Sequence, residues 1–96
     1  MSITIGSVTT FPGAACDRAQ AVKVLEEAAE MFEAVDWYRN VEDDEQELAD
    51  FYRDELVDEC ADVIQAVCNL LAGLGVADMT APMAACEYRN RKRGRF

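Results

Sequence analysis

The sequence predicts an all-α fold: a helical hairpin followed by a short C-terminal helix. Three observations predict it. Strong helix formers run without Gly or Pro through two long stretches. Apolar residues recur in steps of three and four along both stretches. Glycine, proline and acidic polar residues punctuate the chain where helices should stop. With 96 residues there is room for one domain and only a modest core. Two helices and a short third leave apolar surface to cover, which predicts a homodimer or homotetramer of the four-helix-bundle type.

Residues 1–16 carry β-branched side chains and then Phe11-Pro12-Gly13, the composition of an N-terminal arm; residues 17–96 form the helical domain. A first helix is expected to start near Asp17, with Gln20 three residues on as a capping-box partner. It runs from Ala19 to about Trp37, with Val22, Leu25, Ala29 and Phe32 as its apolar stripe. The polar, acidic segment from Asn40 to Gln46 makes the connection. A longer helix from about Glu45 to Leu74 carries Leu48, Tyr52, Leu56, Cys60, Val63, Val67, Leu70 and Leu74, with Gly73 and Gly75 as its stop. Thr80 is the expected cap of a third helix over about 81–91, with Pro82 in its first turn.

Composition excludes several classes. Net charge is −10, so duplex nucleic acid is a poor partner for the body. Five of the nine basic residues, Arg89, Arg91, Lys92, Arg93 and Arg95, crowd into the last eight positions. There is no histidine, and Cys16, Cys60, Cys68 and Cys86 show no CxxC spacing, which argues against zinc. No apolar run approaches the ~20 residues of a membrane span, and no secretory leader pattern opens the chain. The expectation is a cytoplasmic protein with reduced thiols and no membrane partner.

Two acidic motifs carry the chemistry. Glu26, Glu27 and Glu30 form an ExxE with a doubled first glutamate; Glu59 and Asp62 form an ExxD. Side chains three or four apart share a helix face, so each motif makes one acidic patch. Both patches adjoin apolar stripes, where carboxylates are unfavourable unless neutralised. A hard divalent cation neutralises them, Mg²⁺ or in its place Mn²⁺. Di-iron helical bundles use Glu-x-x-His, which this chain cannot supply. The competing reading is a solvated acidic face.

Lys23-x-x-Glu26-Glu27-x-x-Glu30 followed by Glu59-x-x-Asp62 resembles the EExxE…ExxD signature of the all-α NTP pyrophosphohydrolase superfamily, which includes MazG, dimeric dUTPases and phosphoribosyl-ATP pyrophosphohydrolase. Arg89-Asn90-Arg91-Lys92-Arg93-Gly94-Arg95 resembles the basic tail of small MazG-like proteins from phages and actinobacteria. The resemblance covers about residues 17–96. It implies that water attacks an α–β phosphoanhydride, releasing a nucleoside monophosphate and pyrophosphate. It also implies that Glu26, Glu27, Glu30, Glu59 and Asp62 bind Mg²⁺, with one glutamate orienting or deprotonating the water. Phosphoryl chemistry depends on charge neutralisation and positioning, which suits a chain without a nucleophile constellation.

The remaining candidates stand beside plainer roles. Lys23 is placed to contact phosphate or to pair with Glu26 or Glu27. Asn69 is placed to bond sugar or base, or to satisfy a buried neighbour. Arg89, Arg91, Arg93 and Arg95 suit phosphate oxygens, or an acidic partner surface. Trp37 and Tyr38 suit base stacking or packing. The expected function is therefore Mg²⁺-dependent hydrolysis of an NTP or dNTP, in nucleotide-pool house-cleaning. A phosphoribosyl-ATP pyrophosphohydrolase-like enzyme and a non-catalytic acidic helical interaction protein are the alternatives.

Overall fold

The first helix begins where an aspartate can cap it. Asp17 is extended (φ −134°, ψ 176°), and its Oδ1 accepts from the Gln20 backbone N–H at 2.8 Å. In the computed structural model, which describes all residues from Met1 to Phe96, α1 then spans Arg18–Arg39. The reciprocal half of the expected capping box is absent. The Gln20 side chain donates instead to the Ala66 carbonyl at 3.0 Å, across the hairpin.

After the connection, α2 spans Gln46–Gly73 and α3 spans Thr80–Lys92, with no strand anywhere. The all-α fold class holds. Gln20 meets Ala66, Glu30 lies by Glu59, and Trp37 stacks on Tyr52, so α1 and α2 run antiparallel. The end of α2 is a Schellman arrangement: Val76 N–H donates to Leu71 O at 3.0 Å and Gly75 N–H to Ala72 O at 2.9 Å, with Gly75 at φ +77°. Gly73 plays another part than the expected stop. A Cβ there would collide with the backbone of Ala15 and Cys16, so this glycine lets the arm cross the helix closely. Thr80 does not cap α3. It is the first helical residue, and Asp78 Oδ1 accepts from its N–H at 2.9 Å.

The N-terminal arm lies along α2. Gln65 Nε2 donates to the Thr9 carbonyl, and Phe11 N–H donates to Asn69 Oδ1, each at 3.1 Å. α2 is thus held between α1 on one side and the arm on the other. Ile5, Val8, Val57, Cys60 and Ile64 line the cleft between arm and helix.

The apolar stripe expected on α1 faces the wrong way. Val22, Leu25 and Phe32 are exposed, while Val24, Ala28, Met31 and Val35 turn inward around the buried Glu27. Both sets repeat at helical spacing, and the presence of a carboxylate in the inner set disguised it. On α2 the expected stripe holds in its middle, at Tyr52, Leu56, Cys60, Val63 and Leu70; Leu48, Val67 and Leu74 are exposed. Only Glu27, Ala66 and Asn69 are buried outright, so a single chain has almost no core. No helix is long and apolar enough to cross a membrane. All four cysteines are free.

Candidate functional site

The antiparallel register sets one turn of α1, Glu27 and Glu30, opposite Glu59 of α2. One carboxylate oxygen from each of the three lies within 4.8 Å of the others. Glu27 is buried, Glu59 half-buried and Glu30 exposed, so the cluster opens from the hairpin seam to the surface.

Each acid sees a different field. Glu27 Oε1 receives Lys23 Nζ at 2.8 Å, one turn back on the same helix. That hydrogen bond holds the Glu27 carboxyl below its ordinary range and raises the Lys23 ammonium above its own. Glu59 has no such cation. Burial, and then the negative charges of Glu30, Asp62 and Glu27, push its carboxyl up. Its Oε2 is buried with no hydrogen-bond partner. An orphaned buried oxygen on a carboxylate grouped with two others is unfavourable as it stands, and a proton or a cation relieves it. All three donors are hard oxygens, which fits Mg²⁺ or Mn²⁺ by chemistry.

The five acids of the sequence motifs do not all converge. Glu26 is exposed and lies outside the cluster. Asp62 is exposed one turn beyond Glu59, close enough to raise its proton affinity but outside the group of three.

Next to the cluster, Glu30 and Glu59 also line an open cleft of about 280 Å³ with Glu33, Trp37, Phe51 and Glu55. Trp37 stacks on Tyr52 with ring centroids 5.8 Å apart and planes 18° off parallel; Phe51 meets Tyr52 edge-on at 5.3 Å. Tyr38 lies outside this cleft. Glu33, Phe51 and Glu55 escaped the sequence reading. The signal was present, since Glu33 follows Glu30 by three and Glu55 precedes Glu59 by four, extending each acidic face by a turn.

The substrate candidates are scattered. Lys23 touches the cluster through Glu27. Asn69 is buried beneath the arm, its Oδ1 accepting from Phe11 N–H and from Gln65 Nε2 at 3.1 Å each. Arg91 pairs with Glu87 at 3.2 Å and lies over the Phe96 ring at 4.9 Å. Arg95 donates to Asn90 Oδ1 at 3.0 Å. Arg89 and Arg93 make no ion pair, and no tail arginine pairs with a carboxylate of the cluster. Comparison with family models, with curated proteins and with solved structures finds no match to this chain.

Proposed function

We propose that the chain is a Mg²⁺-dependent nucleoside triphosphate pyrophosphohydrolase of the MazG-like kind, converting an NTP or dNTP to the monophosphate and pyrophosphate in the cytoplasmic nucleotide pool. The observation that carries this reading is the meeting of Glu27, Glu30 and Glu59 across the hairpin, with one Glu59 oxygen buried and unpartnered. These three residues would hold the metal, with Asp62 one turn beyond Glu59 and Glu26 outside the group.

When bound, a divalent cation offsets triphosphate charge and acidifies water. The chain's own residues supply position and field. Lys23 keeps Glu27 ionised. Glu59 Oε2 is the oxygen with most to gain from a positive charge. Trp37 and Phe51 offer aromatic surface beside the cluster for a base. The cleft of about 280 Å³ falls just below the ~300–1,000 Å³ of small-molecule sites, so one chain covers only part of a nucleotide.

The test is pyrophosphate release from a panel of NTPs, dNTPs and phosphoribosyl-ATP, with Mg²⁺ and with chelator. Metal-dependent release that Glu59→Gln abolishes is expected. A second reading, a non-catalytic acidic interaction protein, draws on the uncovered apolar stripe of α1. It predicts no release from any substrate.

A further inference from the structure

α3 packs against neither α1 nor α2. It has thirteen residues, of which only Cys86 and Asn90 are even half-buried. A helix this short is marginal in water on its own, so it needs a surface to lie on. The hairpin has one uncovered. Leu25 and Phe32 are 70% and 69% exposed on the outer face of α1, in line with Val22 and Ala29.

The whole-chain quantities agree. A folded 10.7 kDa monomer exposes roughly 5,500 Å². This chain exposes 7776 Å², an excess of roughly 2,300 Å² per copy, and two copies sharing it would bury an interface of obligate size. Its radius of gyration is 16.2 Å, against about 12.5 Å for a compact domain of this length.

Charge selects the occupant. Residues 1–78 hold 18 acidic and 4 basic side chains, a balance of −14; residues 79–96 hold 1 and 5, a balance of +4. Glu26 and Glu33 rim the α1 stripe, so two α1 stripes pressed together would bring like charges together. On α3, Ala81, Ala84 and Tyr88 share a face flanked by Arg91 and Lys92, and the small residues permit close approach. This face offers apolar surface and a charge opposite to that rimming the α1 stripe.

We infer that α3 of one copy docks on the outer face of α1 of a second copy, in a reciprocal exchange closed by two-fold symmetry. The assembly goes beyond the proposed catalysis and stands whether or not the carboxylates hold a metal.

Paired charge reversals test it on the full chain. Glu26→Lys with Glu33→Lys makes both contact faces basic. Arg91→Glu with Lys92→Glu makes both acidic. Sedimentation equilibrium at tens of micromolar and low salt should give the unmodified chain a mass of at least roughly twice 10.7 kDa. Each variant alone should sediment as a single chain, and an equimolar mixture should recover the assembly. A variant that loses helicity alone and regains it on mixing supports the exchange equally. An unmodified chain that stays at 10.7 kDa overturns the inference. So does a variant that still assembles alone, because α3 is then not the occupant, or a mixture that fails to recover.

Discussion

Asn69 separates an anchoring role from a substrate-binding one, because its two side-chain atoms would serve different ends. Its Oδ1 receives Phe11 N–H and Gln65 Nε2, and the residue is buried beneath the arm. Asn69→Ala removes that acceptor and strands the Phe11 N–H, while Gln65 Nε2 keeps the Thr9 carbonyl. A hydrogen bond contributes about 1 kcal/mol net, and a buried donor left unpaired costs about 1–3 kcal/mol. With Gln65 still bonded to Thr9, the loss comes mainly from the Phe11 N–H and is roughly 2 kcal/mol, or a fall in Tm of roughly 8–16 °C for a chain of this size. Asn69→Asp keeps the acceptor and deletes only the amide N–H groups that a sugar or base acceptor would need. Its added charge accepts the same two donors, which offsets part of the burial penalty. Thermal unfolding at fixed protein concentration, with limited proteolysis of residues 1–16, reads the difference. Expected are a large loss of Tm and early cleavage of the arm in Asn69→Ala, and a smaller loss with the arm protected in Asn69→Asp. An Asn69→Ala chain that melts within about 2 °C of the parent with its arm protected would refute the anchoring argument.

Three further outcomes follow from the carboxylates and the tail. Millimolar Mg²⁺ or Mn²⁺ should raise Tm, and Glu59→Gln should remove that response along with turnover while leaving the apo protein at least as stable; an unaltered Mg²⁺ response in Glu59→Gln counts against Glu59 as a ligand. In chelator, a Glu59 carboxyl held above its ordinary range favours the fold while protonated, and that stability is lost as pH rises through the raised value. Glu27, held below its range, acts in the opposite sense, contributing above the ordinary value and losing its contribution as pH falls. The Tm advantage of Glu59→Gln over the parent should therefore grow as pH rises through the carboxylate range and then level; a constant difference between about pH 4 and pH 8 would refute the assignment. Deleting residues 89–96 should raise KM for a nucleotide more than it changes apo Mg²⁺ affinity, and kinetics unchanged in both KM and kcat would exclude the tail from substrate binding.

The helices were legible because their signals are local. Asp17 before α1, the glycine-proline-free runs, Gly75 past α2 and Pro82 in the first turn of α3 each act within a turn or two of themselves. The orientation of α1 was not legible, because two apolar stripes compete on it. Val22, Leu25, Ala29 and Phe32 are larger and free of charge, yet the hairpin buries the set around Glu27. A periodicity reading ranks faces by apolar content and cannot see that a partnered carboxylate is acceptable in the seam. Lys23 provides that partner to Glu27 at 2.8 Å. The arm was illegible for a related reason. Its place is fixed by Gln65, Asn69 and the missing side chain of Gly73, contacts that span 56–58 residues for the two side chains and carry no period.

The site was half legible, and the half that failed is informative. Spacing alone groups Glu26 with Glu27 and Glu30, since all lie within one turn. What separates them is the direction of the seam. Glu27 and Glu30 meet Glu59 of α2, while Glu26 is exposed at the edge of the outer stripe, within one turn of Val22 and Ala29. The doubled glutamate therefore faces two surfaces at once: one member meets Glu59, the other rims the face to which the basic α3 of a second copy is inferred to dock. If both assignments hold, Glu26→Lys should disturb assembly and leave the Mg²⁺ response largely intact, and Glu27→Gln should do the reverse. Measuring mass and metal-induced Tm shift on the same two variants decides it. Variants that lose both properties together would mean that the two faces of α1 are not separable.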